Sequence, residues 1–517
     1  MEFWFIFLSL FICFVLKLLL NLILDKKYNK REHKLPLPLP LPPGPFTFPI
    51  IGKFFWQRKS FSDLEPILRE LHTKYGPIVS LPIGSQRAIF IRTHDLAHEA
   101  LVKKGTIFTS RPPVMGAGRL ENRFNISSSG YGPVWRLLRR NLTSEMLHPS
   151  RLKSYSRARK WVLQVLTTKL KAESQSGKAI PMMDHIQYAM FSLLVFMCFG
   201  KKLEEKEVRE IKTVQSTFFQ NSSRFDTLDF LPWLARILFR KLWNELLEIL
   251  HKQENLFIPL IRAREERRKN ANSKLEEDFV NSYVDTLLDL NLPEDGRKLN
   301  EAEMVSLCSE FLTGGTDTTS TALQWILANL VKHQHIQSKL VAEIEGVVGS
   351  GEKINEEDLQ KMPYLKAVVL EGLRRHPPAH FLLPHAVTED TTLNGYLIPK
   401  NATTVNVTLA EISRDPDAWE DPMEFRPERF LSRIVQGEEV IDIIGKKEIK
   451  MMPFGAGRRI CPALGLALLH LGYFVANLVR DFEWKPRDGD DIDLSEEQKF
   501  TFVMKNPLHA LIYSRIR

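Results

Sequence analysis

The run Pro453-Phe-Gly-Ala-Gly-Arg-Arg-Ile-Cys-Pro-Ala463 concentrates more chemistry than any other stretch of the chain. Gly455 and Gly457 permit a tight loop with close backbone approach. The loop delivers Cys461 to the start of an apolar segment, Leu464–Val479, that reads as a helix. A thiol at a helix N-terminus beside Arg458 and Arg459 is placed to ionise, since dipole and charge both favour the thiolate. Loop amides can donate to the sulfur and tune it. The other cysteines, Cys13, Cys198 and Cys308, are far off with no paired spacing. That excludes a disulfide framework and a zinc site and points to a reducing compartment. A lone soft thiolate suits a metal group that carries its own remaining ligands. A merely buried structural cysteine would not need this glycine and arginine setting.

Three other groupings carry chemistry. Gly314-Gly-Thr-Asp-Thr-Thr319 lies inside an otherwise helical pattern. Glycine pairs and threonine runs are poor helix formers, so packing or function must hold them there. Missing side chains leave room beside the helix, and threonine hydroxyls can bond the i−4 carbonyl. Glu371-Gly-Leu-Arg374 puts opposite charges on one helix face ahead of Pro377 and Pro378, and Pro427-Glu-Arg-Phe430 follows. Trp135 and Arg139 place an indole donor and a guanidinium one turn apart, fit for a carboxylate. His385, after Leu383-Pro384, reads either as a further donor or as an ordinary surface histidine.

Phe454, Gly457, Arg459 and Cys461 match the Phe-x-x-Gly-x-Arg-x-Cys-x-Gly signature of the cytochrome P450 family, with Ala463 in place of the last glycine. The chain resembles that family nearly throughout, most closely its plant microsomal members. The resemblance implies haem b with Cys461 as its axial iron ligand, and haem contacts from Phe454, Gly457, Arg459, Trp135, Arg139 and His385. It implies that Asp317 and Thr318 form the acid–alcohol pair that delivers protons during oxygen activation. Glu371, Arg374 and Arg429 become a structural charge triad. It further implies a pocket lined from Arg111–Phe124, Phe311–Thr318, Ala379–Leu383 and near Thr501–Phe502.

These residues need a scaffold. Apolar residues at three- and four-residue spacing predict helices over Phe61–Tyr75, Trp135–Met146, Leu152–Glu173, Ile186–Phe199, Trp243–Arg268 and Glu301–Leu330. Short β-like runs fall at Ile78–Pro82, Ala88–Ile91, Thr391–Ile398 and Thr403–Leu409. The expected fold is mostly α with a small β region, without repeats. Ahead of it, Phe3–Leu24 is nearly continuous apolar sequence interrupted by Ser9, Lys17 and Asn21. About 20 helical residues span a bilayer core. Basic residues follow this segment rather than precede it, so residues 1–24 read as a retained anchor, with Lys17 as the costly exception. Residues 25–45 form a basic and proline-rich hinge, and 46–517 the catalytic domain. The positive-inside rule then faces the body to the cytoplasm, on a single-pass endoplasmic reticulum membrane protein.

Composition is that of a globular chain: 517 residues, 44% hydrophobic, 26% charged, net charge +9. The basic runs after the apolar segment and at Arg262–Lys274 read first as solvated faces and, more sharply, as surfaces for anionic lipid or an acidic protein; no nucleic-acid motif accompanies them. No flavin or nicotinamide motif is present, so the resemblance implies electrons from NADPH through a separate NADPH–cytochrome reductase. The expected activity is insertion of one oxygen atom from O2 into a lipophilic small molecule, in plant specialised, pigment or hormone metabolism. Two alternatives stand beside it. One is a reductase-independent isomerase or dehydratase acting on hydroperoxides, a chemistry whose members tend to lose the acid–alcohol pair. The other is a non-catalytic haem-binding membrane protein.

Overall fold

The computed structural model describes residues 39–46, 56, 60–83, 86–112, 124–225, 228, 237–270, 280–349, 352–400, 403–435, 442–487 and 491–515. The expected anchor Phe3–Leu24, the basic run after it and part of the pocket segment 111–124 lie outside these residues.

In chain order the elements that matter for the site are α1 (Phe61–Tyr75), β1 (Ile78–Ile83), β2 (Gln86–Ile91), α2 (Pro133–Asn141), α3 (Ser156–Ser174), α4 (Met182–Phe199), α5 (Glu205–Phe225) and α6 (Arg240–Asn270). They continue with α7 (Glu301–Lys332), α8 (Pro363–Arg375), β3 (His385–Ala386), β4 (Thr403–Val407), α9 (Glu428–Val435), α10 (Leu464–Asp481) and a hairpin of β5 (Glu496–Gln498) and β6 (Phe502–Met504). The result is mostly helical with small sheets. The largest sheet runs β1–β2–β4–β3, with β2 and β4 parallel from Arg87↔Thr403 and the other pairs antiparallel.

Helix α7 is the axis of the molecule. It runs unbroken for 32 residues and packs against α4, α6, α8 and α10. Asn300 starts it with a capping box, its side chain accepting from the Glu303 amide while the Glu303 carboxylate accepts from the Asn300 amide. Close approach of its neighbours depends on small residues. A Cβ on Gly372 of α8 would lie 2.4 Å from Ile326 Cγ1 of α7, so glycine is what lets the two helices meet. Among the described residues, α4 is long and apolar enough to cross a bilayer, yet it lies mostly buried against α7 as part of the core. The sequence expectation for helix starts and ends holds to within a few residues except at two places: α2 closes at Asn141 and a π-turn, Leu142–Met146, completes the expected span, and the helix expected over Leu152–Glu173 breaks at Tyr155 into a short helix, Pro149–Ser154, and α3.

The end of the proline run docks on this body. The Pro43 carbonyl accepts from the Ser80 amide at 2.8 Å and the Pro40 carbonyl from the Leu397 amide at 2.9 Å.

Candidate active site

The cysteine loop is shaped by its glycines. Gly455 and Gly457 sit at φ +72° and +70°, where a side chain is strained. A Cβ on Gly457 would also fall 2.0 Å from the Leu101 carbonyl oxygen, so no other residue fits without moving backbone. The loop closes through the Cys461 amide, which donates to the Phe454 carbonyl at 2.8 Å. The Ala463 amide points at the Cys461 sulfur and favours its ionised form, as does the charge of Arg139. Burial outweighs both and pushes the thiol up. Cys461 nevertheless keeps accessible surface. The two facts agree if that surface faces a hollow inside the protein.

Here the structure corrects one detail of the sequence reading. Arg458 and Arg459 turn away from the sulfur. Arg458 donates to the Tyr131 hydroxyl at 2.9 Å. Arg459 donates to the carbonyls of Thr109 (2.8 Å), Ile126 (3.1 Å) and Ser129 (2.7 Å) and lies 4.3 Å above the Trp135 ring. The cation that acts on Cys461 is Arg139, whose guanidinium donates to the neighbouring Ile460 carbonyl. Trp135 and Arg139 therefore diverge. The indole of Trp135 donates to the Ile126 carbonyl at 2.9 Å, while Arg139 reaches the cysteine loop.

His385 is buried, not a surface residue, with Nδ1 2.6 Å from the Phe108 carbonyl. Burial and the adjacent Arg111 push it down to about 3, so it is neutral. Arg111 donates to the carbonyls of Ser127, Leu383 and Pro384 at 2.8–2.9 Å. Burial and repulsion from Arg459 lower it to about 9, and burial with repulsion from Arg139 lowers Arg459 to about 10. Among the described residues none of Arg111, Arg139 and Arg459 closes an ion pair; their donors rest on backbone carbonyls. A half-buried group of cations without paired anions, beside a lone thiol, fits a cofactor that brings carboxylates and its own equatorial ligands. Haem b meets that description, and the described residues hold no cluster of His, Cys, Asp or Glu that would form a metal site instead.

The second grouping lies on α7. Its two glycines do different work. A Cβ on Gly315 would lie 2.7 Å from Leu194 Cδ1, so this glycine serves packing against α4. A Cβ on Gly314 would meet nothing within 4 Å, and Gly314 is exposed although it sits mid-way along a core helix. The open space beside the helix belongs to Gly314 alone. Thr318 donates its hydroxyl proton to the Gly314 carbonyl at 2.7 Å without breaking the helix. Burial raises the Asp317 carboxyl, and Lys212 of α5 opposes that rise.

The charge triad is formed. Arg374 makes a fork to Glu371 at 2.7 and 2.9 Å, and Arg429 Nε reaches Glu371 Oε1 at 3.1 Å. Arg374 also donates to the carbonyls of Ser413, Pro422 and Glu424, tying the segment ahead of the cysteine loop to α8. Glu371 and Arg374 are fully buried.

Sequence reading missed three residues. Arg111 was assigned to the pocket wall, although an arginine opening an apolar segment is a visible signal. Glu310 is the acid within the apolar stretch Phe311–Leu312 and Leu307–Cys308 of α7, again visible in the sequence. Lys212 sits in α5, whose many charges hide it. The surface cleft of about 480 Å3 between α3, α4 and α5, lined by Lys169, Asp184, Tyr188 and Arg209, contains none of the site residues named above.

Comparisons with known proteins agree on one family. The model of the cytochrome P450 family matches residues 42–513. Cytochrome P450 89A9 of Arabidopsis thaliana is 47% identical over 499 residues, covering 93% of this chain and 94% of that protein. Geraniol 8-hydroxylase of Catharanthus roseus is 30% identical, covering 97% and 99%. Flavonoid 3'-monooxygenase of Arabidopsis thaliana is 29% identical, covering 99% and 97%. A zebra fish cytochrome P450 solved with progesterone shares the fold, with a TM-score of 0.71 at 22% identity over 87% of this chain and 99% of that one.

Proposed function

The chain belongs to the cytochrome P450 family as a plant haem-thiolate monooxygenase, and from that premise we propose that it inserts one oxygen atom of O2 into a lipophilic small molecule, using electrons from NADPH passed on by a separate NADPH–cytochrome reductase. The observation that carries this reading is the group Arg111, Arg139 and Arg459, which among the described residues closes no ion pair and donates to backbone carbonyls, around the partly accessible thiol of Cys461.

Haem b, when bound, supplies the redox centre at which dioxygen is reduced and one oxygen atom passes to substrate. The protein's own residues do the rest. Cys461 would ligate the haem iron, and the Ala463 amide and Arg139 favour its ionised sulfur. Arg459, Arg139, Arg111, Trp135 and His385 would hold the cofactor's carboxylates, exchanging their backbone partners for stronger charge-assisted bonds. Gly455 and Gly457 give the loop the tight turn that presents Cys461, and Phe454 and Gly457 would contact the cofactor. Gly314 leaves the space in which oxygen is handled. Thr318, its hydroxyl already directed by the Gly314 carbonyl, and Asp317, whose carboxyl burial raises above its ordinary range, would hold and move the protons. Glu371, Arg374 and Arg429 brace the scaffold of the cysteine loop.

Relatives named for acting on geraniol and a flavonoid support a lipophilic substrate of plant specialised, pigment or hormone metabolism. The apolar segment before residue 25 supports an endoplasmic reticulum anchor, residues 25–45 a hinge, and the remainder a cytoplasmic catalytic domain. The test is spectroscopic and then catalytic. Reduced protein under carbon monoxide should give the thiolate-type spectrum, and Cys461→Ser should lose it. Oxygen consumption with a lipophilic substrate should then require reductase and NADPH. A Cys461→Ser variant that keeps the spectrum, or isomerisation or dehydration of a hydroperoxide substrate with no reductase-dependent oxygen consumption on any lipophile, would overturn the reading.

A further inference from the structure

Residues 124–130 form a strap that leads into α2, and it carries three of the carbonyls that the basic group bonds, those of Ile126, Ser127 and Ser129. The Ile126 carbonyl receives Trp135 Nε1 at 2.9 Å and Arg459 Nη1 at 3.1 Å. The Ser127 carbonyl receives Arg111 Nε and the Ser129 carbonyl receives Arg459 Nη2, at 2.8 and 2.7 Å. The strap is not held by strand pairing. One side is fastened locally by Asn125, whose side-chain oxygen accepts the amides of Ser127 and Ser128 at 2.8 and 3.0 Å. The long-range fastening is Glu310 of α7. Its Oε2 accepts the Ile126 amide and its Oε1 the Ser127 amide, both at 2.7 Å.

The peptide between Ile126 and Ser127 thus bonds at both ends. Its N–H donates to the Glu310 carboxylate, and its carbonyl accepts from the Arg459 guanidinium and the Trp135 indole. An anion at the N–H end and a cation at the C=O end polarise one amide in the same sense, so each bond strengthens the other. The charge of Glu310 also acts on Arg139 and Arg459 directly. Burial pushes the Glu310 carboxyl up while the two amides and the Ser127 hydroxyl pull it down. Glu310, Gly314 and Asp317 fall at i, i+4 and i+7 of α7, so the strap hangs from the helix face that carries the open site.

We propose that Glu310 is a positioning residue which, through the Ile126–Ser127 peptide, holds Trp135 and Arg459 in place for the carboxylates of the cofactor. The proposal rests on the reading that these two side chains bind haem. It makes haem retention depend on an acid that touches neither the haem nor the thiol.

The test uses the full-length holoprotein in detergent or bilayer discs. Amide hydrogen exchange at Ile126 and Ser127 and the rate of haem transfer to an excess of an apoprotein acceptor are measured together. Glu310→Gln keeps size but removes the charge and presents a donor to a donor, so both rates should rise, each by about tenfold for the loss of one charge-assisted bond. Glu310→Asp, which keeps the charge on a shorter stem, should fall between. In the double variant Glu310→Gln/Trp135→Phe the two effects on haem transfer should be less than multiplicative, because both act through the Ile126 carbonyl. A general loss of stability would multiply instead. Unchanged exchange at Ile126 and Ser127 in Glu310→Gln overturns the proposal, as does faster exchange with unaltered haem transfer, or strict multiplicativity in the double variant. Trp135→Phe and Arg459→Ala separate the underlying reading: if neither alters haem transfer, these side chains do not bind the cofactor, whatever the exchange data show.

Discussion

Lys212 sits between two carboxylates, Asp184 and Asp317, with no direct ion pair to either. Burial lowers its pKa and the two acids raise it. Asp184 also lines the surface cleft of α3–α5, so Lys212 feels one acid of that cleft and one of the proton-handling end of α7. The coupling has a sign that can be checked. Asp317 is raised by burial, and Lys212 is what holds it down. In Lys212→Met the carboxyl should rise further. Less of it is then ionised at a given pH, and a step that needs Asp317 to accept a proton from solvent fails at higher pH than before. The acidic limb of kcat against pH should move to higher pH in Lys212→Met, with substrate binding little altered. A limb that stays in place would mean that Asp317 does not titrate in the rate-limiting step.

At the level of elements, the two glycines of α7 make opposite demands. Alanine at either position gains about 1 kcal/mol of helix propensity. At Gly315 the new Cβ meets Leu194 at 2.7 Å, and overpacking of a core contact costs about 1–3 kcal/mol. Gly315→Ala should therefore lose up to about 2 kcal/mol net, seen as a lower Tm of the haem-loaded protein. Gly314→Ala should hold or raise Tm while slowing turnover, because its Cβ enters the open space. Equal thermal effects would refute the division of labour. The pair also shows what the sequence can and cannot say. Two adjacent glycines in a helical pattern are legible as an exception that something must explain, and the helix itself is legible from its apolar period. Which glycine faces space and which faces Leu194 depends on how α4 crosses α7, and no local pattern encodes a crossing. The same limit separates Cys461, whose loop is one continuous motif, from Arg111 and Glu310. These two join the site only once residues 124–130 fold back on α7. The arrangement of Arg458 and Arg459 was misread for a related reason: adjacency in sequence suggested the sulfur, while Thr109, Ile126 and Ser129 offered Arg459 three carbonyls.

Two properties belong to the whole molecule. The first is acid stability. His470 of α10 is buried against Phe474, and burial together with the Arg159 charge pushes it down to about 3. The unfolded chain titrates this group near 6.5. Its contribution is therefore intact above about pH 6.5 and is lost as pH falls toward 3, since only the unfolded state takes up the proton. At pH 5.5 the loss is roughly 1.4 kcal/mol for this residue. Tm should fall between pH 7.5 and 5.5, and His470→Asn should flatten that slope; an equally steep slope in the variant would assign acid sensitivity elsewhere. The second is the direction of the surface field. The chain carries a net +9, and Arg136 and Arg140 of α2 are exposed on the helix that also sends Arg139 to the cysteine loop. An acidic reductase docked there would be steered by charge and would stand close to the thiolate side of the cofactor. The double reversal Arg136→Glu/Arg140→Glu should lower reductase-supported turnover, most at low ionic strength, where screening is weakest. Turnover driven by added peroxide bypasses the reductase and should be unaffected. If both routes fall together, the arginines support the cofactor site rather than the encounter, and the docking surface must lie on another face.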